Sequence, residues 1–299
     1  MNRRWLKGLG AVLCAAVLCA AAPGGGRALG EDEERAALPP VESARSADGL
    51  SYDDGTISVR IEPDTAHDTK IYWVSVKISD PSQLGTMLAG PKGSGKTASP
   101  ISMAKRANAV LALNGDFFSG HSSGVVYRSS QLLRDVPAYT RDELMIDEKG
   151  DLTILAVPPS TGKKKISEGI AAYQETHEIR EAFCFGPGLI ADGEVQKFNY
   201  TEKTSCGYPT RAQRMIFCQT GPLEYLFLAT EGPEQDQPGL TVPECVELLT
   251  ERGGVLQAYN LDGGNSTMVI LCGDKMNAPG VKAREIADMI VFTTLAKGE

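Results

Sequence analysis

The segment Leu261-Asp262-Gly263-Gly264-Asn265-Ser266-Thr267-Met268 constrains the fold more than any other. It sets an acid, two glycines, an amide and two hydroxyls between two apolar runs. Residues 255–259 and 268–271 are rich in side chains that suit a pleated surface, so the pattern predicts strand, turn, strand. Two readings of the turn stand side by side. In one, its polar side chains bond their own backbone in a hairpin; in the other, the paired glycines let a ligand approach the main chain closely.

A second cluster has the same character. Asn114-Gly115-Asp116-Phe117-Phe118 closes the apolar run 109–113, so two strand ends carry Asp and Asn. Phe185-Gly186-Pro187-Gly188-Leu189-Ile190, with Asp192-Gly193, follows, and then Asn260 through Met268. Taken in that order, these motifs resemble the phosphodiester glycosidase family over roughly residues 52–295. Gly124-Val125-Val126-Tyr127-Arg128 is similar to the family's strand after the first motif. The family's Pro-Arg-Thr-Ala-Ile-Gly motif is matched in spacing by Gln213-Arg214-Met215-Ile216-Phe217-Cys218, which keeps only the arginine. Pro209-Thr210-Arg211 offers a rival register. The Asp-Gly-Gly turn is one residue shorter than the family's Asp-Gly-Gly-Gly-Ser-Ser-Thr-Met.

The resemblance implies hydrolysis of a sugar 1-phosphodiester at its anomeric carbon. That reaction needs stabilisation of an oxocarbenium-like state, a nucleophile or a base for water, and neutralisation of the departing phosphate. Because the phosphate is already a good leaving group, arginine and amide donors matter more than a general acid. Asp116 and Asp262 are the expected carboxylates, one as nucleophile or base and the other as acid or as a holder of sugar hydroxyls. Arg214 is expected to grip the phosphate as a two-pronged fork, with Arg211 in reserve. Asn114, Gly115, Gly263, Gly264, Asn265, Ser266 and Thr267 are expected to bind substrate, and Arg284 to complete the pocket. His121 lies near the first motif and reads as a loop residue or a base; Phe117 and Phe118 read as core or as a face for a sugar. The implied partner is a carbohydrate phosphodiester or a cell-surface polymer, and no cofactor or metal is implied. A non-catalytic glycan-binding relative is the alternative, given the eroded arginine motif and the shortened turn.

Gly90-Pro91-Lys92-Gly93-Ser94-Gly95-Lys96-Thr97 satisfies the phosphate-loop pattern of nucleotide hydrolases. That pattern works only when a buried strand feeds the loop and a helix begins at the Lys-Thr. Ser99-Pro100 disfavours helical geometry just after it, so a flexible surface loop is expected here rather than a nucleotide site.

Residues 1–22 combine Arg3, Arg4 and Lys7 with an apolar stretch too short for an ordinary membrane span. They read as an export signal, or as an anchor if uncleaved. Residues 23–50 lack apolar period and read as a disordered linker, leaving 51–299 as the folded part. With the three basic residues of the leader removed, the formal charge falls from −8 to −11. Such a chain is a poor nucleic-acid binder, so an anionic substrate must meet a local cation; Arg214, Arg211, Arg128 and Arg284 are candidates. A secreted or extracellular location is expected, with membrane attachment only through an uncleaved leader.

Beyond Cys14 and Cys19 the cysteines are Cys184, Cys206, Cys218, Cys245 and Cys272, an odd set allowing two disulfides at most. Their default role is that of a small buried hydrophobe. Strands are expected at 57–61 and 71–78 flanking a polar loop at 64–69, and at 109–113, 125–127, 144–147 and 152–157. Helices are expected at 101–106, 168–182 and 243–251. Interspersed elements without a strict βαβ rhythm predict an α/β (α+β) class: a mixed central sheet with flanking helices in a single globular domain.

Overall fold

The computed structural model describes residues 37–136, 138, 141–156, 163–197, 209–278 and 280–298. The expected leader, the first part of the linker and residues 157–162 lie outside the described residues. The described chain belongs to one compact unit, 37–299.

Sheet dominates, and the expected mixed central sheet is replaced by three separate sheets. The largest has eight strands in the order Ser51–Asp53, Ile57–Ala66, Thr69–Ile78, Glu224–Thr230, Met215–Gly221, Gln257–Asn260, Gly188–Ala191 and Glu194–Val195. A five-stranded sheet runs Gln131–Val136, Gly124–Arg128, Ile179–Phe183, Glu143–Asp147, Leu152–Leu155. The other five-stranded sheet runs Asp274–Lys275, Val269–Leu271, Leu111–Asn114, Asp288–Phe292, Leu84–Leu88. Each pairing among these strands is antiparallel. The reason lies in the connections. Neighbours such as Met215–Gly221 and Glu224–Thr230 are joined by tight turns, which only antiparallel strands allow.

The first hairpin shows how local sequence sets this pattern. Ile57, Val59 and Ile61 are buried on alternate positions, and the pairing runs from Ile57 opposite Ile78 to Ala66 opposite Thr69. The strands therefore continue through the expected polar loop and close on His67 and Asp68, both with positive φ, at 49° and 57°. Two left-handed residues make a turn that matches strand twist, so the polar stretch is absorbed into the ladder.

Three α-helices are present among the described residues: Pro100–Arg106, Lys163–Gln174 and Val242–Arg252. The last is fixed by its start and stop. Thr241 Oγ1 accepts from the Glu244 N–H at 3.3 Å, the Glu244 carboxylate accepts from the Thr241 N–H at 2.8 Å, and Gly253 ends the helix at φ +72°. The helix expected over 168–182 is a correction: it stops at Gln174, and Ile179–Phe183 becomes a central strand. Burial decides this. Ile179, Ala182 and Phe183 are enclosed between Gly124–Arg128 and Glu143–Asp147, and tertiary packing overrides the helical pattern.

The core joins the eight-stranded sheet to the sheet that carries the first motif. Phe217 stacks on Phe227 with ring centres 4.4 Å apart, and Phe292 meets Phe227 edge-on at 6.0 Å. Residues 37–50, expected within the linker, are held against the rest of the unit. Leu38 bridges Thr294, the Asn108 side-chain amide donates to the Ala37 carbonyl at 2.7 Å, and Arg45 pairs with Asp274 at 2.6 Å. Backbone bridges and polar ties order this stretch without the apolar period that marks a strand in sequence.

Candidate active site

Three segments meet at one end of the sheet centred on Leu111–Asn114. Val269–Leu271 pairs with it on one side and Asp288–Phe292 on the other, with Asn114 opposite Met289. This register brings 114–116, 262–268 and 286–288 together. Asn114 is the staple: its amide nitrogen donates to the Asp262 carbonyl at 2.7 Å, and its amide oxygen accepts from the Met268 N–H at 3.1 Å. The backbones of Asp262 and Gly115 join at 3.3 Å, and those of Gly115 and Asp288 at 3.2 Å. The glycines follow from this crowding. A Cβ on Gly115 would lie 2.3 Å from Asp288 Oδ2, and one on Gly263 would lie 2.4 Å from the Gln213 carbonyl.

Beneath this junction lies a buried charge cluster. Arg128, 1 % exposed, donates from Nε and Nη2 to Asp288 Oδ2 at 3.0 and 2.6 Å, and from Nη2 to Asp116 Oδ1 at 2.8 Å. Its Nη1 serves the carbonyls of Tyr127 and Ala182. Burial disfavours the guanidinium charge, but Asp116 and Asp288 more than offset it and hold its pKa above the usual value. Burial raises the Asp288 carboxyl above the ordinary carboxylate range, with Arg128 opposing and Asp116 adding to the rise.

Asp262 stands apart from that network. Its Oδ1 accepts from the Gly263 N–H at 2.9 Å. Burial pushes its pKa up to about 6; the Ser266 hydroxyl, Arg284 and the Gly263 N–H oppose the rise. The Ser266 side chain is buried beside it. A narrow cleft opens over these groups, lined by Asn114, Gly115, Phe117, Asp262, Ser266 and Arg284, with Thr97 and residues 285–288. Phe117 takes a left-handed backbone, φ 57°, and its ring lies under the Arg284 guanidinium at 5.2 Å. Arg284 is exposed and, among the described residues, has no carboxylate within ion-pair distance.

The expected site residues therefore separate into groups. Asn114, Gly115, Asp262, Ser266 and Arg284 share the cleft. Asp116 is fully buried, does not line the cleft, and has both oxygens engaged: Oδ1 by Arg128 and the Phe118 N–H, Oδ2 by the Cys184 N–H at 2.7 Å. Gly264, the exposed Asn265 and the buried Thr267 line a smaller neighbouring cleft with Lys275 and Asn277. The Arg214 guanidinium donates to the carbonyls of Leu240 and Thr210 and does not line the cleft. Arg211 pairs with Glu244 at the head of the last helix. What the 213–214 segment supplies is backbone: the Gln213 carbonyl accepts from the Gly264 N–H at 3.0 Å and supports the turn from below.

Asp288 is absent from the sequence expectations, and Arg128 has a different part from the one expected of it. Asp288 sits at the head of the apolar strand Asp288–Phe292, the same acid-at-strand-end signal as Asp116 and Asp262. Arg128 was singled out only as a cation for substrate, whereas it is the internal counter-ion of two carboxylates. His121 meets Phe117 edge-on and takes a hydrogen-bond contact from Arg141 at Nδ1, 3.0 Å; burial, then Arg141, lowers its pKa. In the Gly90–Thr97 loop no helix begins at Lys96 or Thr97; the next starts at Pro100. Cys184, Cys218 and Cys245 are buried free thiols and Cys272 is a half-buried one, while Cys206 lies outside the described residues. Among the described residues no group of three or more His, Cys, Asp or Glu side chains is placed to hold a metal.

A sheet-built domain in which one carboxylate lines a cleft above a buried acid–arginine cluster has the makings of a hydrolase site. The chain belongs to the phosphodiester glycosidase family, a family of hydrolases, whose model matches residues 107–293. No curated protein matches the sequence. Among solved structures it is similar to the catalytic domain of zebrafish N-acetylglucosamine-1-phosphodiester alpha-N-acetylglucosaminidase, auto-inhibited by its pro-peptide. The TM-score is 0.60 and the identity 16 %, with 86 % of this chain and 87 % of that one covered. It is also similar to a hypothetical protein from Synechocystis, with TM-score 0.60 and 17 % identity, covering 80 % of this chain. The match spans 62 % of the Synechocystis chain's length.

Proposed function

We propose that this chain hydrolyses a glycosyl-1-phosphodiester, with Asp262 as the reacting carboxylate. The observation that carries the reading is the state of Asp262: one oxygen fixed by the Gly263 N–H, the carboxyl raised to about 6, and the side chain lining a cleft shared with an unpaired Arg284. Water adds to the anomeric carbon, the carbon–oxygen bond to phosphate breaks, and the phosphate leaves as a monoester. Since that leaving group needs little protonation, Asp262 acts in its ionised form, as base for the water or as nucleophile. Asp288, at the cleft wall, adds negative potential that favours an oxocarbenium-like carbon. Arg284 replaces Arg214 as the proposed phosphate ligand, because its guanidinium faces the cleft. Asp116 positions the first motif from below.

The proposed setting is outside the cell, where the leader would deliver the protein to a surface glycan or cell-wall polymer. Release of free sugar from methyl-phospho-N-acetylglucosamine and from UDP-N-acetylglucosamine, measured for wild type and Asp262→Asn, tests the reaction. Turnover by the wild type alone supports it. Equal background from both proteins would leave a glycan-binding relative without catalysis.

A further inference from the structure

The lysine-bearing loop Gly90–Thr97 has no part in the reaction described above, yet it is tied to the rim of the cleft. Just past the loop, Ala98 and Ile286 exchange two backbone hydrogen bonds, at 3.0 and 3.1 Å, and Ile286 belongs to the cleft wall. Thr97 lines the cleft, and its hydroxyl donates to the Glu285 carboxylate at 3.2 Å. On the other side, a Cβ on Gly95 would stand 3.5 Å from Ser119 Cβ, so the loop spans from one wall toward the segment that follows Phe117. The loop is folded on itself as well. The Lys96 stem and the Ser94 hydroxyl both close over Gly90, each 3.0 Å from where its Cβ would be.

The outcome is a pair of uncompensated positive charges on a loop tied to the rim. Lys92 and Lys96 are exposed, and among the described residues neither ammonium is paired with a carboxylate, as is true of Arg284. The one carboxylate on this rim that the loop touches, Glu285, already accepts from Thr97. Arg284 in the cleft and two unpaired lysines on a loop anchored to its rim oppose the repulsion that a chain of net charge −8 exerts on any polyanion. A substrate with a single phosphate needs only Arg284 inside the cleft. Cations further out along the rim have a role when negative charge continues beyond the reacting phosphodiester.

We infer that Lys92 and Lys96 form an outer subsite for a polyanionic aglycone, a polymer of repeated phosphate units whose terminal glycosyl-phosphate enters the cleft. This rests on the phosphodiester reading for its substrate, but its binding step is tested without turnover. Fluorescent inorganic polyphosphate is titrated into the full chain at several salt concentrations. The Lys92→Glu/Lys96→Glu double variant is expected to bind at least tenfold more weakly, with a flatter salt dependence. Lys77→Glu/Lys149→Glu, the same charge change on other sheets, is expected to stay within twofold of wild type. Hydrolysis of methyl-phospho-N-acetylglucosamine by the loop variant is expected to remain within twofold of wild type. Equal weakening by both double variants, or no binding of polyphosphate by the wild type, overturns the inference. Polyphosphate binding lost only in the loop variant upholds it even where no protein turns over the small substrate, a result that would sink the hydrolytic reading alone.

Discussion

Arg128 reaches the same oxygen of Asp288 through two nitrogens, Nε at 3.0 Å and Nη2 at 2.6 Å, while Nη2 also holds Asp116. One buried cation thus ties the first motif to the strand that closes the cleft. Removing one member of such a cluster leaves an uncompensated charge, so Arg128→Met is expected to cost about 3–5 kcal/mol of stability. Adding Asp288→Asn to that variant is expected to return part of the loss. Chemical denaturation of the three proteins measures both effects, and an unchanged midpoint for Arg128→Met would contradict the account.

Gly115→Ala places a methyl carbon on Asp288, where the gap to Oδ2 is 2.3 Å. Over-packing of this kind costs about 1–3 kcal/mol, and here it also displaces a carboxylate of the site. The expected outcome is a lower melting temperature together with a fall in kcat. Gly55→Ala is the control: its φ of +82° carries strain, but nothing lies within 4 Å. It is expected to lower stability and leave kcat unchanged.

The pH profile reports on Asp262. Its carboxyl is raised to about 6 by burial, and the proposed chemistry needs the ionised form. The value of kcat/KM is expected to rise tenfold per pH unit below that point and level off above about pH 7. A rate that falls through pH 6 instead would make Asp262 the proton donor.

Glu143 is fully buried, with Oε1 accepting from the Val125 N–H at 2.9 Å, and burial pushes its pKa up to about 8. The folded state then holds a proton that the unfolded chain releases near its ordinary 4.5. This contribution is complete below pH 4.5 and is lost as pH rises toward 8. Glu143→Gln, a mimic of the protonated acid, is expected to decline less than wild type in stability between pH 5 and 8. Parallel melting curves across that range would refute this.

The two arginines make opposite forecasts. Arg284→Met removes a charge-assisted contact to phosphate and is expected to lower kcat/KM by about 10- to 100-fold with little change in stability. Arg214→Met leaves the Leu240 and Thr210 carbonyls short of a donor and is expected to lower the melting temperature. Steady-state kinetics alongside thermal unfolding separate the two.

Much of the local structure was written in the chain. The helix ending at Gly253 is specified by Thr241, Glu244 and that glycine, all close in sequence. The strand ends at Asn114 and Asp262 were visible because acids and glycines interrupt apolar runs. Asp288 carried the same signal more weakly, with only Asp288 itself marking the strand head.

What no local pattern contained is which way each charged side chain turns. Asp116 and Asp262 look alike along the chain, yet one is sealed by Arg128 and the Cys184 N–H while the other faces the cleft. Arg214 turns to the Leu240 and Thr210 carbonyls for the same reason, while Arg284 lines the cleft. Strand and turn propensities act over a few neighbouring residues, so the sequence by itself determined the elements and the motifs at their ends. The partner that satisfies a charge comes from residues remote along the chain, Asp116 and Asp288 around Arg128 or Leu240 beneath Arg214. Only the pairing of three sheets decided which carboxylate would be buried as a counter-ion and which would line the cleft.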